Sequence, residues 1–435
     1  MMKARIRWRR VAIKVSVTLL LAVGWAGAIG YGALAGWWHR PIAERGDAAA
    51  FTAAATRMID SRMRGNAAFV LVERGRVFAQ VYRSRGVSVG PHTRFQVASL
   101  SKWLTAFGVM RLVETGRLNL DAPVSRYLTR WRLPASAYDN RQVTARRLLS
   151  HTAGLTDDLG FGGFPPGVPV QSLEGALTRA VDASPGKDGR VRVGQAPGSF
   201  RYSGGGYALL ELLIEETAGE RFESYMDRAI FRPLDLADTS FSPPTERDDV
   251  AQSFDTKGRA TPLQRFSAPA AAGLYTSAAD MVRLVQALRP GTRGEPVGRG
   301  VLSARSLELM RRPEASQYGA AIWGLGTILY APNDRGGFII GHDGNNTPAI
   351  NTAVRIDPAT GDGIVLLETG DERLATQLAG EWVVWKTGHI DLFQFSAELA
   401  RVTPALFAGL AFILLGGLAS LLTPSLRERP AGALR

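Results

Sequence analysis

Two long runs without a charged residue bracket the chain. The first, Val15 to Trp38, follows Lys3, Arg5, Arg7, Arg9, Arg10 and Lys14, and it carries Trp25, Tyr31, Trp37 and Trp38. As a helix its 24 residues extend about 36 Å, against roughly 30 Å for a bilayer core. The second runs from Val402 to Leu426, with FAGLAFILLGGLASLL at 407–422 as its centre and Arg427, Glu428 and Arg429 directly after it. A buried helix of a soluble protein rarely stays uncharged on every face for so long. A cleaved signal peptide has an apolar region of only about 7–15 residues and a small-x-small site. Here the first run is longer and closes on a Trp pair, an interfacial anchor pattern, so a retained span is expected, with Ala-Gly pairs inside it that leave cleavage open. Basic charge lies outside both runs, at the chain ends. The positive-inside bias then puts both termini in the cytoplasm and the middle of the chain on the far side of the membrane. The expected layout is a basic cytoplasmic tail (1–14), a span (15–38), an extracytoplasmic domain (39–390), a second span (402–424) and a cytoplasmic tail (425–435).

Between the runs the pattern changes several times. Residues 41–65 are Ala-rich and predict a first amphipathic helix. AFVLVERGRVFAQVYR at 68–83 predicts two short strands around Arg74-Gly75, a hairpin. From Ser99 the apolar spacing turns helical through Trp103, Phe107, Met110 and Leu112, and Gly116 ends the run. Asp121 to Val124 reads as a turn into another helical stretch. A Gly/Pro-rich loop spans Gly160 to Val168, and residues 202–245 read as largely helical with a break at Arg232-Pro233. Strand-like segments return at 323–331 (WGLGTILYA), 336–344 (GGFIIGHDG), 350–358 (INTAVRIDP) and 363–370 (GIVLLETG), before a final helix over 371–386. Strands, a helical middle, then meander-like strands and a helix imply an α/β domain of the α+β kind, a sheet with helices on its faces and an inserted helical lobe. No internal repeat is evident.

Composition narrows the function classes. The chain has no cysteine, which excludes thiol nucleophiles, disulfide scaffolds, iron–sulfur centres and Cys-based zinc sites. The net charge of +13 suggests nucleic acid until it is apportioned. Residues 1–40 hold seven basic residues and no acid, and 401–435 hold four Arg and one Glu, which leaves +3 for 41–400. A nucleic-acid footprint needs a basic face on the folded body, so no nucleic-acid partner is expected. Five histidines, scattered, give no zinc cluster, and no metal or cofactor is expected.

Three short segments carry candidate chemistry. Ser99 and Lys102, three apart at a helix start, share one face. A Ser hydroxyl is a poor nucleophile unless a nearby amine accepts its proton. The bland alternative is an N-cap serine with a solvent-facing lysine. Tyr202-Ser203-Gly204 lies within PGSFRYSGGGYALL, just before an apolar helix. Its phenol is either structural or a proton acceptor beside cations. His342-Asp343-Gly344 ends an apolar strand, where Gly344 permits close backbone approach. A core or surface histidine is the alternative there.

These segments resemble the serine β-lactamase, penicillin-binding protein and esterase superfamily, its class C-like branch in particular. That family's SxxK, YxN and [KH]xG motifs match SLSK at 99–102, YSG at 202–204 and HDG at 342–344, in order. FQVASLSKWLTAFGVMRLVETGRLNLDAPVSRYL (95–128), LLSHTAGL (148–155), FRPLDLADTSF (231–241) and AAGLYTSAADMVRLVQAL (271–288) are similar as well, so the resemblance covers roughly residues 50–386. It implies a β-lactamase/transpeptidase-like fold with an antiparallel sheet, flanking helices and a mostly helical lobe. It also implies acyl transfer through a covalent intermediate on Ser99, with Lys102 and Tyr202 managing the proton. The oxyanion is then held by the backbone N–H groups of Ser99 and Asn345. His342 orients Tyr202 or receives a substrate carboxylate or carbonyl, and Gly344 and Gly204 line the substrate side.

Lys386-Thr387-Gly388 spells a literal KTG, but it follows the last expected strand and lies 44 positions beyond His342, so it reads as coincidence. Two departures bear on substrate. Gly204 stands where the family often has Asn, and His342 where β-lactamases usually have Lys. A neutral imidazole anchors a carboxylate less well than an ammonium. Asp343 adds to this if it faces the cleft. The expected function is a membrane-anchored serine hydrolase of the bacterial cytoplasmic membrane, facing outward and acting on an ester or an amide such as a D-alanyl peptide. Its expected partners are a small ester or peptide substrate, with cell-wall material as one source, and the lipid bilayer, with room left for a membrane-protein partner. The alternatives are a penicillin-binding D-alanyl-D-alanine carboxypeptidase of cell-wall metabolism and a non-catalytic binding or regulatory domain on the same fold.

Overall fold

In the computed structural model, which describes residues 2–157, 161–245, 249–317 and 319–422, Arg74 and Gly75 sit at φ 52° and 78°. Two consecutive left-handed residues make the tight turn whose twist suits a hairpin. The turn joins β1 (Ala67–Glu73) to β2 (Arg76–Arg83). Six further strands come from late in the chain: β3 (Ala315–Gln317), β4 (Ala320–Trp323), β5 (Ile328–Pro332), β6 (Phe338–Asn346), β7 (Ile350–Asp357) and β8 (Asp362–Thr369). They complete one eight-stranded antiparallel sheet in the order β2-β1-β8-β7-β6-β5-β4-β3. The first hairpin thus closes onto the last strand, with Ala67 opposite Glu368 and Val72 opposite Gly363.

The helices include α1 (Met2–Leu34), α2 (Ala48–Arg62), α3 (Ser101–Glu114), α4 (Gly204–Ala218), α5 (Pro269–Ala272), α6 (Ala278–Ala287), α7 (Leu374–Thr387) and α8 (Leu392–Leu422). β7 and β8 are buried at every residue because α7 covers one face of the sheet and α6 packs against β1 and β8 on the other. Phe51 of α2 stacks on Trp385 of α7 with ring centres 4.8 Å apart. Between β2 and β3 runs the mostly helical lobe. Its α4 packs on α3 and α5, and so lies directly behind the Ser99 segment.

Local signals misled in three places. WGLGTILYA is two strands, not one: Gly326 takes φ 70°, which an L side chain rarely adopts, and Gly324 N–H closes the turn on Thr327 O at 2.8 Å. The stretch after Asp121 is a single 3₁₀ turn at Val124–Arg126 and not a longer helix, since Val124 N–H bonds the carbonyl of Val143 across a loop. In 202–245 the helix breaks at Arg232-Pro233 as expected, but it does not resume between there and 245. The start of the Gly/Pro loop at Gly160 lies outside the described residues.

Residues 41–387 form one compact unit, and the segments flanking it form another. In the flanking unit α1 and α8 pack side by side. Trp25 Nε1 donates to Leu406 O at 3.2 Å, and a Cβ on Gly409 would stand 2.1 Å from that Trp nitrogen, so glycine is what lets the helices approach. Lys14 Nζ reaches the carbonyl of Ser420. Both helices are long and apolar enough to cross a bilayer. α1 ends at Leu34, which leaves Trp37 and Trp38 beyond it, after Gly36 at φ 68°. The end of the expected second span (423–424) and the tail 425–435 lie outside the described residues.

Candidate active site

Ser99 sits in a 3₁₀ turn, Ala98–Leu100, that runs directly into α3. Ala98 is left-handed at φ 48°, an uncommon place for a residue with a Cβ, and several contacts hold the turn there. Ser101 Oγ donates to Ala98 O at 2.5 Å and accepts Leu274 N–H at 3.0 Å. Thr352 Oγ1 of β7 donates to Val97 O at 3.0 Å. Gly344 of β6 presses on the same turn: a Cβ there would lie 2.1 Å from Val97 O and 3.1 Å from Leu100 N. The glycine of the HDG motif thus sets how closely the β6 backbone approaches the Ser99 turn. β6 pairs with β5 only as far as Gly341, so residues 342–346 pair with β7 alone and leave their outer edge open.

One helical turn after Ser99, Lys102 is 2% exposed, and its Nζ lies 3.1 Å from Ser99 Oγ. The same Nζ donates to Ala271 O at 2.7 Å. It lies over two rings, 5.0 Å from the centre of Tyr202 and 5.6 Å from that of Tyr207, so the amine is set against both phenols. The solvent-facing lysine of the bland reading is therefore excluded. Glu211 of α4 fixes the Lys102 acceptor from behind. Its Oε2 accepts Ala270 N–H at 2.9 Å, and burial pushes its carboxyl well above the usual range. Tyr202 is 38% exposed while Lys102, His151 and His342 are buried, so the phenol is the part of this cluster that faces solvent.

His342 is 1% exposed and its ring lies 5.5 Å from Trp323, edge-on. Nδ1 lies 2.6 Å from Asp343 O, which can only accept, so Nδ1 carries the proton and Nε2 a bare lone pair. Burial and the nearby Lys102 push its pKa down to about 3, so the ring is neutral at pH 7. A neutral ring shut from solvent offers a substrate carboxylate no positive charge. Asp343 points to the other face of the sheet. There it accepts from Arg355 Nη2 at 2.9 Å and Tyr330 OH at 2.7 Å, so it lends no negative charge to the cleft. Asn345 is exposed, and its side chain donates to Glu372 O at 2.5 Å.

Gly204 opens α4 and is buried. The glycine run there makes room for a carboxylate. Asp157 accepts Ser203 OH at 2.5 Å and Gly205 N–H at 3.0 Å, and a Cβ on Gly205 would lie 3.0 Å from Asp157 Cγ. Asp157 and the Ser203 cap thus occupy the helix N-terminus, where unpaired N–H groups favour negative charge. Lys386 is remote, at the opposite end of the strands, where it pairs with Glu73 at 2.7 Å and Asp362 at 3.1 Å. Its KTG is structural. No group of His, Asp and Glu among the described residues is arranged to hold a metal ion.

The structure adds a residue that sequence reasoning passed over. His151, inside LLSHTAGL, is 2% exposed, and its ring centre lies 4.4 Å from that of Tyr202. Trp323, at the end of β4, packs edge-on against both His151 and His342. A histidine inside an apolar run ahead of a glycine turn was the available signal. Nothing local joined it to Tyr202, 51 positions away.

A hydroxyl within hydrogen-bond reach of a buried amine, beside a half-open phenol and a glycine-lined strand edge, is the arrangement of a serine acyl-transfer site. Comparison with known proteins agrees. A Penicillin-binding protein 4 from Amycolatopsis lactamdurans is 32% identical over 308 residues, 67% of this chain and 76% of that one. An octameric penicillin-binding protein homologue from Pyrococcus abyssi shares the fold at a TM-score of 0.63 and 22% identity, covering 78% of this chain and 77% of that one. EstCE1, a hydrolase with promiscuous acyltransferase activity, does so at 0.60 and 22%, covering 77% of this chain and 97% of that one. The Beta-lactamase family model matches residues 51–388, almost the whole of the larger unit, and the chain belongs to that family of serine hydrolases.

Proposed function

We propose that the protein is a membrane-anchored serine hydrolase that works through an acyl-enzyme on Ser99 and takes neutral esters or amides. The observation that carries this is the 3.1 Å contact between Lys102 Nζ and Ser99 Oγ, with Tyr202 beside it. Ser99 Oγ attacks the substrate carbonyl while Lys102, as the free amine, takes the hydroxyl proton. The oxyanion rests on the backbone N–H groups of Ser99 and Asn345. Tyr202 gives its own phenolic proton to the leaving alcohol or amine as the bond to the acyl carbon breaks. Water then attacks the acyl-enzyme as the Tyr202 phenolate takes its proton, and the acid leaves as Lys102 returns the proton it holds to Ser99 Oγ. His342, with Nε2 unprotonated, orients the phenol.

The preference for neutral substrates follows from charge. His342 supplies no positive charge, and Arg355 is committed to Asp343 on the far face. A carboxylate-ended peptide therefore finds a weak anchor, and an uncharged ester or amide loses nothing. The second reading, a D-alanyl-D-alanine carboxypeptidase, is favoured by the penicillin-binding relative at 32% identity. In both readings α1 and α8 anchor the enzyme in the cytoplasmic membrane with the catalytic unit outside.

The test is turnover by detergent-purified protein of a p-nitrophenyl ester series and of D-alanyl-D-alanine peptides, with Ser99→Ala as control. Ester turnover abolished in S99A, with little release of D-alanine, is expected. Efficient D-alanine release would move the assignment to the carboxypeptidase, and turnover surviving in S99A would end the serine reading. Reporter fusions at residue 40 and residue 390 test the topology; cytoplasmic activity of either would contradict it.

A further inference from the structure

His151 holds Tyr202 and both of its chain neighbours. Its carbonyl accepts Arg201 N–H at 2.8 Å, and its Nδ1 accepts Ser203 N–H at 3.1 Å. The Phe200–Arg201 and Tyr202–Ser203 peptides, at the two ends of the short segment that carries Tyr202, are therefore tied to one residue. The imidazole then lies along the Tyr202 ring, tilted by 34° with centres 4.4 Å apart. Phe200 and Tyr207 close the ring in, at 5.9 and 5.3 Å, and Trp323 packs against it at 4.8 Å. His151 achieves this only in the left-handed conformation, φ 57°, where histidine is several-fold enriched among non-glycine residues.

The Ser203 N–H bond decides the tautomer, because an N–H can be accepted only by a bare ring nitrogen. The proton of His151 is therefore on Nε2, a buried atom with no protein partner among the described residues. His342 holds the opposite tautomer, and its Nε2, likewise buried, is bare. We propose that His151 is a positioning residue for Tyr202, fixing the phenol through its ring contact and through the Phe200–Arg201 and Tyr202–Ser203 peptides, and doing so only in the tautomer with Nδ1 unprotonated. The inference rests on the acyl-enzyme reading above, in which Tyr202 carries the proton. A protonated His151 has no acceptor for Ser203 N–H and sets a cation beside the Lys102 amine. The aromatic enclosure keeps that proton away.

Two variants separate the hydrogen bond from the packing. His151→Asn keeps an acceptor near the Nδ1 position and tolerates the left-handed backbone, but loses the ring. His151→Phe keeps a ring and loses the acceptor. With both variants folded by circular dichroism, ester kcat in H151F is expected to fall about tenfold or more below that of H151N, with KM within about threefold in each. Equal kcat values, or a higher kcat in H151F, would overturn the proposal, as would kcat values that merely follow the two thermal midpoints. Independently of turnover, ¹⁵N-histidine spectra of the full chain at pH 7 are expected to show one imidazole, lost in H151N, protonated at Nε2 alone. A doubly protonated or Nδ1-protonated ring at that position would also overturn it. A wild-type protein that turns over no ester and takes no label at Ser99 would instead remove the hydrolase reading, and this role with it.

Discussion

Replacing Gly344 by alanine adds one carbon at the point where β6 meets the Ser99 turn. That Cβ would stand 2.1 Å from Val97 O, 2.5 Å from Thr352 Oγ1 and 3.1 Å from Leu100 N. A relaxed carbon–oxygen contact is about 3.3 Å, so the strand and the turn must part by about 1.2 Å along that line. Neither neighbour yields easily. Val97 O accepts from Thr352 Oγ1, Val97 N–H is held by Leu274 O at 3.1 Å, and β7 is bonded along its whole length to β8. A displacement of about 1 Å between a nucleophile and the backbone that stabilises its oxyanion costs on the order of 10²-fold in rate, and overpacking costs about 1–3 kcal/mol of stability. The assay is the second-order rate of Ser99 phosphonylation by a fluorophosphonate, followed by intact mass, beside a urea unfolding curve. Gly344→Ala should label about a hundredfold more slowly while still folded. Gly90→Ala, where no atom lies within 4 Å, is the control and should label normally. Wild-type labelling of folded G344A would refute the claim that this glycine sets the fit between β6 and the nucleophile.

Other consequences are as specific. Lys102→Met removes the amine at 3.1 Å from Ser99 Oγ and should slow phosphonylation by roughly 10²–10⁴-fold with little change in fold, measured by the same mass assay. Arg355→Met leaves Asp343 buried without its cation and should cost about 3–5 kcal/mol in chemical denaturation, while the double variant D343L/R355M should recover most of that loss. His342 and His151 both have pKa values lowered by burial and by Lys102, to about 3 for His342. The unfolded chain therefore binds more protons than the folded one between that value and the ordinary histidine pKa near 6.5, so stability from these rings is present above about pH 6.5 and is lost as pH falls toward 3. Urea midpoints from pH 8 to 4 should decline over that window, and less steeply in H151N. The buried Glu368 carboxyl is held well above its usual range by desolvation, which works the other way: its contribution is lost as pH rises, and Glu368→Gln should raise the midpoint at pH 8 relative to pH 5.

What was legible in the sequence was what is local or ordered along the chain. Ser99 and Lys102 share a helix face by spacing, and Arg74-Gly75 announces its hairpin by the residues a tight turn needs. The alternation of β6 also places His342 and Asp343 on opposite faces, yet only the sheet order shows which face looks toward the nucleophile. KTG at 386–388 could be set aside from its place after the last strand, and the Lys386 ion pairs with Glu73 and Asp362 explain why a lysine is there at all. Tertiary contacts were beyond such reasoning. Ala271 holds Lys102 across 169 positions, and Trp323 bridges two histidines that lie on either side of it in sequence. Gly204 read as a missing amide, whereas the glycine run it opens accommodates Asp157 at the start of α4. WGLGTILYA looked like one strand because its apolar residues run on through Gly326, whose backbone reverses the chain.

The account turns on Ser99 being an activated nucleophile. The most direct measurement is intact mass spectrometry of the full chain in detergent after brief exposure to a fluorophosphonate, with Ser99→Ala in parallel. A single phosphonyl adduct, mapped to Ser99 and lost in S99A, is the predicted result. Folded wild-type protein that stays unlabelled, or that labels equally well in S99A, would contradict the central claim.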